Sequence, residues 1–428
     1  MATLSEAAPV QVEQSGLSLS TFAAFQSRPF SLLWANTFSF SLSQAVQQFT
    51  FVWLALQLSG TGQAIGLISF ALGLPVLVFG LHAGVLADRL DRRILLFASQ
   101  FAGIAITAVA AVLVWAGAID TTLTFVLALL LGTSVAFGQP VRAAILPSLV
   151  PPERLLNAVT LMGLGLNVSQ MVGAAVSGAV IALGGVGAAF AAQTVLLTLG
   201  LVALLPLRVP KVMAAPKRNM MVELREGLAF VANHPGIRTL MIVLLATALV
   251  MAGTFTALLP KIARDDLGVG AFAAAMLFAA MGVGMLMSSL LLASFSRLER
   301  AGLYFLITLV IGGALNLGLG LAPWYTLAVG IMFITGWNAG FFVNLNMTLV
   351  QAHTPQVVMG RVMSIYTLCM AGGVPLGALL AGVMTDVIGA REWFAICGFA
   401  LMLLGIAVIV TQPALRRMGS AAHPLTSA

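Results

Sequence analysis

The chain has 428 residues, of which 60% are hydrophobic and only 8% are charged, and its mean hydropathy is +1.07. A soluble protein could not cover its surface with so few charges, so the composition indicates an integral membrane protein. The net charge is +7, but the basic residues lie in short segments between apolar stretches, which is typical of membrane topology and argues against nucleic acid as a partner.

Apolar stretches of about 20 residues, long enough to cross a bilayer, occur twelve times. The predicted fold is an all-α polytopic membrane protein with twelve transmembrane helices in two pseudo-symmetric halves of six, residues 28–207 and 236–411. Residues 1–27 and 412–428 are predicted cytoplasmic tails, the first lacking the pattern of a signal peptide. The predicted spans one to twelve are 30–58, 64–87, 94–117, 121–149, 155–183, 186–207, 237–259, 271–295, 303–321, 324–350, 357–388 and 393–410.

The basic residues predict the orientation of the spans. If the amino terminus is cytoplasmic, sixteen of the 20 Lys and Arg residues fall in cytoplasmic segments and only Lys261, Arg264 and Arg391 fall outside. Positive residues concentrate on the cytoplasmic side of membrane proteins, so both termini are predicted to be cytoplasmic.

Span one carries a stripe of polar side chains that would be costly against lipid. Asn36, Ser43 and Gln47 fall on one helical face, with Gln44 and Gln48 beside them. This stripe predicts a water-filled cavity that binds a small-molecule substrate. Polar residues of other spans expected to face the same cavity are Gln139 in span four, Asn167 and Gln170 in span five, and Trp337, Asn338 and Asn344 in span ten.

Two other titratable residues are candidates for coupling transport to an ion gradient. Arg142 lies late in span four, and His82 lies near the end of span two. Each has a structural alternative, as an interfacial side chain that reaches water or a neighbouring polar group. None of the 13 acidic residues lies mid-membrane, so the usual site for cations is missing and a neutral, zwitterionic or anionic substrate is favoured.

Residues 208–235 connect the halves and begin with a Pro- and Lys-containing segment followed by an amphipathic pattern from Met221 to Phe230. We expect a linker with a short surface helix, which either tethers the halves or regulates them.

The two halves repeat each other. Arg89-Leu90-Asp91-Arg92 after span two matches Arg297-Leu298-Glu299-Arg300 after span eight, and Gly173-Ala174 in span five matches Gly377-Ala378 in span eleven. Similar offsets indicate one six-helix unit used twice, an architecture of transporters whose substrate site lies between the halves. Neither a metal-binding cluster nor a nucleophile or phosphate-loop motif of the usual enzymes is present, so no enzyme activity, metal or cofactor is predicted.

The charged segment Gly84-Val85-Leu86-Ala87-Asp88-Arg89-Leu90-Asp91-Arg92-Arg93 resembles the loop between helices two and three of the major facilitator superfamily. Residues 28–34, 44–61, 138–147 and 154–158 resemble the branch that contains the enterobactin exporter and the macrolide efflux proteins. One departure concerns antiport: Gly173 is followed by Ala174 where antiporter branches have a Gly-Pro pair.

This resemblance implies a monomeric exporter of a small organic molecule, such as a siderophore or an antibiotic, in the bacterial inner membrane. It also implies a conformational latch, in which Asp88 contacts the start of span eleven near Thr354. The latch residues are Gly84, Asp88, Arg89, Asp91, Arg92 and Arg93. Nutrient import and a non-transporting membrane receptor remain as alternative functions.

Overall fold

The computed structural model describes residues 23–89, 91–207, 220–295 and 298–420, in which no strand occurs. The side chains of residues 23, 81–89, 152, 220–221 and 293 lie outside the description. Spans one to four are the helices Arg28–Leu58, Gly62–Arg89, Arg92–Trp115 and Thr121–Ile145, and spans five and six both lie within Leu155–Leu204. Spans eight to twelve are Ala271–Ala293, Ala301–Gly320, Tyr325–Ala352, Gln356–Ile388 and Ala390–Thr411.

Span seven is a continuous helix with two π-helical turns. Pro235–Thr247 leads into the π-turn Ala248–Ala252, then into Gly253–Lys261 and a second π-turn, Ile262–Asp266. The segment between the halves contains the helix Met220–Asn233. Short helical turns occur at Ala23–Gln26, Leu146–Ser148, Pro152–Arg154 and Pro413–Arg416.

Within the described ranges, ten helices are long and apolar enough to cross a membrane. Leu155–Leu204 counts once among them although Gly185, at φ 75° and ψ −178°, divides it into two arms. A side chain is strained at this φ, so glycine explains why the reversal occurs there. Span one is not among the ten, because its polar residues lower its hydropathy. The architecture is therefore consistent with the predicted twelve spans.

Paired glycines give both halves the same packing. Gly173 of span five lies against Ala45 and the Leu42 carbonyl of span one, and Gly377 of span eleven lies against Leu249 of span seven. Without side chains, these residues let the helices approach closely. The matching contacts confirm that the sequence repeat is also a structural one.

The same pseudo-symmetry joins one half to the other. Gly178 of span five contacts Ala275 of span eight, and Gly382 of span eleven contacts Gly62 and Gly66 of span two. Span five of the N-terminal half therefore packs against span eight of the C-terminal half, just as span eleven packs against span two.

We call the side of the molecule that carries the linker helix the linker face, and the opposite side the far face.

Candidate transport cavity

A cleft of about 360 Å³ lies between the halves, and glutamines line much of it. We call it the amide cleft. Gln139 of span four donates from Nε2 to Oε1 of Gln44 in span one, at 3.0 Å. Spans two and eleven complete the lining through Ser69 and Pro375. The predicted cavity residues in this lining are Gln44, Gln47, Gln48, Gln139 and Gln170.

A second cavity of about 410 Å³ extends into the C-terminal half, and we call it the C-half pocket. It shares Gln48, Gln170 and Thr256 with the amide cleft, so the two spaces are adjacent. Asn167 and Asn338, two of the predicted cavity residues, also lie in its lining. Methionine, phenylalanine and other apolar residues form most of the remaining lining, and among the described residues no charged side chain lines either space.

Four other predicted cavity residues lie outside both linings. Asn36 and Ser43 are buried within the N-terminal half, at 0% and 2% exposure. Asn344 donates to Oγ of Ser289 at 3.0 Å and to the Gly340 carbonyl at 2.7 Å. Trp337 packs against Phe341, with ring centroids 6.1 Å apart. The polar stripe of span one is therefore divided between the cavity and the interior.

Arg142 lies in a buried polar cluster of the N-terminal half, with 5% of its surface exposed. It donates from Nε to Oδ1 of Asn36 at 2.9 Å and from Nη2 to Oε1 of Gln100. These amides donate onward to the carbonyls of Gly200 and Leu197, at 2.9 and 2.8 Å. The cluster thus links spans one, three, four and six.

The Arg142 guanidinium also lies over the Phe40 ring, 3.7 Å from its centroid, an arrangement that stabilises a cation electrostatically. Its Nη1 has no hydrogen-bond partner. A Cβ at Gly138 would lie only 2.6 Å from Nη1, so glycine leaves the room that the guanidinium needs. These contacts favour the structural alternative for Arg142, in which it holds four spans together.

The charged loop after span two is described only in part. Asp91 caps span three by accepting a 2.8 Å hydrogen bond from the Arg93 backbone N–H. Arg92 and Arg93 donate to the carbonyls of Ala144 and Leu205, at 3.0 and 3.2 Å. These contacts stay within the N-terminal half. The predicted roles of His82, Gly84, Asp88 and Arg89 fall on side chains outside the described residues.

Polar contacts close the two halves against each other at the far face. Asp386, at the end of span eleven, accepts hydrogen bonds from the backbone N–H groups of Gly62 and Gln63, at 2.6 and 2.7 Å. The carboxylate thereby caps span two across the interface, where the helix dipole favours negative charge. Arg264 and Lys261 donate to the carbonyls of Leu56 and Gly60, each at 2.7 Å.

The sequence prediction missed this closure. Asp386 was expected only as one of the acidic residues outside the membrane or at helix ends, because a carboxylate near a helix end has no visible partner in a single sequence. The available signal was the presence of Lys261 and Arg264, two of the three basic residues on the predicted outer side. Basic residues are uncommon on the outer side of a membrane protein. Their presence there therefore indicated that they make specific contacts.

Comparisons with known proteins identify the family. The family model described as transmembrane secretion effector matches residues 19–426. Macrolide efflux protein A of Streptococcus pyogenes is 24% identical over 391 residues, covering 88% of this chain and 94% of that protein. Enterobactin exporter EntS of Shigella boydii is 29% identical over 345 residues, covering 78% and 80%. These matches confirm the branch that the sequence resemblance indicated.

Solved structures agree on the fold. A crystal structure of the peptide transporter POT in complex with sulfate has a TM-score of 0.74 and 14% identity, covering 91% of this chain and 95% of that one. At this identity the likeness shows the major facilitator fold alone. The family and its relatives are transporters, which confirms that the chain is not an enzyme.

Proposed function

Because the chain belongs to the transmembrane secretion effector family of the major facilitator superfamily, we propose that it is a secondary transporter that exports a small organic molecule from the bacterial cytoplasm. The substrate is of siderophore or antibiotic type, and both termini are cytoplasmic. One observation carries the proposal: both halves line two adjacent cavities in which no described residue is charged, and polar contacts close the halves at the far face.

Alternating access gives these contacts a role. With the far face closed, substrate enters from the linker face, and breakage of the Asp386 and Arg264 contacts lets the halves separate on the other side. The substrate is neutral to anionic, because no described carboxylate lines either cavity to bind a cation. Export of an anion gains ~2.3 kcal/mol per charge per 100 mV in a cell that is negative inside, whereas a neutral substrate needs exchange for an ion such as a proton.

A reversible disulfide across the far face tests this mechanism. A Cβ at Gly62 would lie 2.8 Å from Cβ of Thr385 and 2.5 Å from the Gly382 carbonyl oxygen. A shift of about 1 Å between the helices relieves this overlap and gives the usual disulfide separation. We expect Gly62→Cys with Thr385→Cys, in a Cys369→Ala and Cys397→Ala background, to lose transport on oxidation and regain it on reduction. Each single-cysteine variant is the control. Unchanged transport by the oxidised pair would exclude alternating access at this interface.

The direction of transport and its coupling need vesicles of both orientations. We expect everted membrane vesicles that contain the protein to accumulate enterobactin or chloramphenicol, and right-side-out vesicles to do so less. Accumulation only in right-side-out vesicles would support nutrient import instead, and none in either would favour the receptor alternative. Dissipating the pH gradient and the membrane potential separately identifies the coupling.

A further inference from the structure

The segment after span twelve packs against the start of span nine. Gly302 donates from its backbone N–H to the Met418 carbonyl at 3.0 Å. Leu298 and Ser420 exchange two hydrogen bonds, each of 2.9 Å. A Cβ at Gly236, which follows the linker helix closely, would lie 3.2 Å from Sδ of Met418. The start of span nine and the segment after span twelve therefore meet at a junction on the linker face.

Three arginines lie at this junction. Arg300 immediately precedes span nine and is exposed, and after the buried Leu415 the segment continues with the half-buried Arg416 and the exposed Arg417. Among the described residues, none forms an ion pair or a side-chain hydrogen bond with any of the three. Glu299 is the only acid in residues 298–304 and 412–420. The junction therefore has a local excess of positive charge.

The N-terminal half has a matching helix pair, in which the protein itself supplies the partner. Span three packs against span six as span nine packs against span twelve, where Gly313 meets Gly398. Arg93, at the start of span three, donates to the Leu205 carbonyl at the end of span six, at 3.2 Å. Its guanidinium also lies over the Phe97 ring, 5.4 Å from the centroid. Within the described ranges, the three arginines at the junction have no such contacts, so they are available to a partner outside the chain.

Exposed apolar side chains continue from this charge along spans nine and twelve. They are Tyr304, Ile307 and Ile311 on span nine and Leu403, Ile406 and Val410 on span twelve. The two helices are antiparallel, and on each of them the exposed residues are rotated in the same sense from the contact glycines Gly313 and Gly398. All six side chains therefore lie on one side of the helix pair. We call these six residues and the three arginines the nine–twelve surface.

We propose that the nine–twelve surface binds an anionic phospholipid of the leaflet at the linker face. Its phosphate lies at Arg300, Arg416 and Arg417, because guanidinium groups form paired, charge-assisted hydrogen bonds with phosphate. Its acyl chains lie along the apolar residues, and Tyr304 occupies the level at which tyrosines border the headgroups. Basic sites at the ends of transmembrane helices are typical of anionic lipid recognition.

This inference goes beyond the proposed function. None of the nine residues lines either cavity, so the site is separate from the transport pathway and holds whichever molecule is transported. The lipid joins the start of span nine to the segment after span twelve and so stabilises the C-terminal half.

Native mass spectrometry of the purified, delipidated full chain tests the proposal. The probes are palmitoyl-oleoyl phosphatidylglycerol and the phosphatidylcholine with the same acyl chains, which differ in net charge. We expect phosphatidylglycerol to occupy its first site at least about tenfold more tightly, since each arginine near the surface contributes about fivefold. Equal first-site affinities would overturn the proposal. Full displacement of phosphatidylglycerol by about a tenfold excess of glycerol 3-phosphate would also overturn it, because that result identifies a site for a free anion.

Matched variants locate the phosphate. Arg300→Gln and Arg417→Gln should each weaken the first-site binding of phosphatidylglycerol about fivefold, and together about 25-fold. Arg300→Lys keeps the charge and should stay within about threefold of the parent. Arg28→Gln is the control, because Arg28 is exposed at the start of span one and lies outside the nine–twelve surface. We expect it to change the affinity less than about twofold.

Two results would refute the site. Equal losses in Arg28→Gln and Arg300→Gln would show that the lipid responds only to net charge. Phosphatidylglycerol should also raise the thermal midpoint of the parent more than that of the variant with both Arg300→Gln and Arg417→Gln, because a ligand stabilises only a protein that binds it. Equal rises would contradict the assignment. Specific lipid binding without transport in vesicles would instead refute the proposed function and leave this site intact.

Discussion

Asp386→Asn should weaken the far-face closure selectively. The carboxylate accepts hydrogen bonds from the backbone N–H groups of Gly62 and Gln63, at 2.6 and 2.7 Å. Asparagine keeps one acceptor oxygen, but its NH₂ group would face the second backbone N–H. The negative charge of the carboxylate is also lost. A hydrogen bond to a charged group is worth ~1.5–3 kcal/mol. Because Asp386 is exposed, solvent screening lowers this to about 1–2 kcal/mol, which shifts the closed-to-open ratio ~5–30-fold.

Labelling of a reporter cysteine measures this shift. Ser69 is 5% exposed and lines the amide cleft, so Ser69→Cys in a background without other cysteines should react slowly with a membrane-impermeant thiol reagent added outside cells. We expect Asp386→Asn to accelerate the reaction ~5–30-fold, following the change in the open population.

A matched control removes a similar carboxylate that does not join the halves. Asp120 caps span four by accepting a 2.7 Å hydrogen bond from the Leu123 backbone N–H, entirely within the N-terminal half. We expect Asp120→Asn to leave the labelling rate of the reporter unchanged. Equal rates in Asp386→Asn and in the parent, or equal acceleration by both substitutions, would contradict the assignment of Asp386 to the closure.

Three further predictions concern contacts between helices. Arg142→Lys replaces the two guanidinium nitrogens that donate to Asn36 and Gln100 with a single ammonium nitrogen. It should lower the thermal midpoint of the purified protein, each lost hydrogen bond costing ~1–3 kcal/mol, and an unchanged midpoint would contradict the structural role of Arg142. Gly377→Ala should lower the midpoint because its Cβ meets span seven, whereas Gly360→Ala in the same helix meets nothing within 4 Å and should stabilise by ~0.5–1 kcal/mol. Glu226→Gln breaks the 2.7 Å ion pair between the linker helix and Arg361. Because this pair is partly exposed to solvent, a double-mutant cycle should give a coupling energy under ~1 kcal/mol, and a larger coupling would favour a regulatory linker.

The polar stripe of span one shows how much of the candidate site a sequence pattern can predict. Helical periodicity predicted a cavity lined by Gln44, Gln47 and Gln48, since amides are too costly to face lipid, and these three residues lie in the lining of the amide cleft. The same reasoning placed Asn36 there as well, although it accepts a hydrogen bond from Arg142 inside the N-terminal half. A polar face must avoid lipid, but periodicity does not distinguish a cavity from a polar neighbour, because that depends on which helix packs beside it.

The sequence by itself determined the membrane class, the helical fold and the repeat of two halves. Hydropathy, helix length and paired glycines are local properties that the bilayer and close helix packing impose on a chain. Only the tertiary structure decided that Asp386 caps span two, that Arg142 joins four spans and that the segment after span twelve packs against the start of span nine. Those facts depend on contacts between residues up to 324 positions apart, and such pairings are set by how the two halves meet.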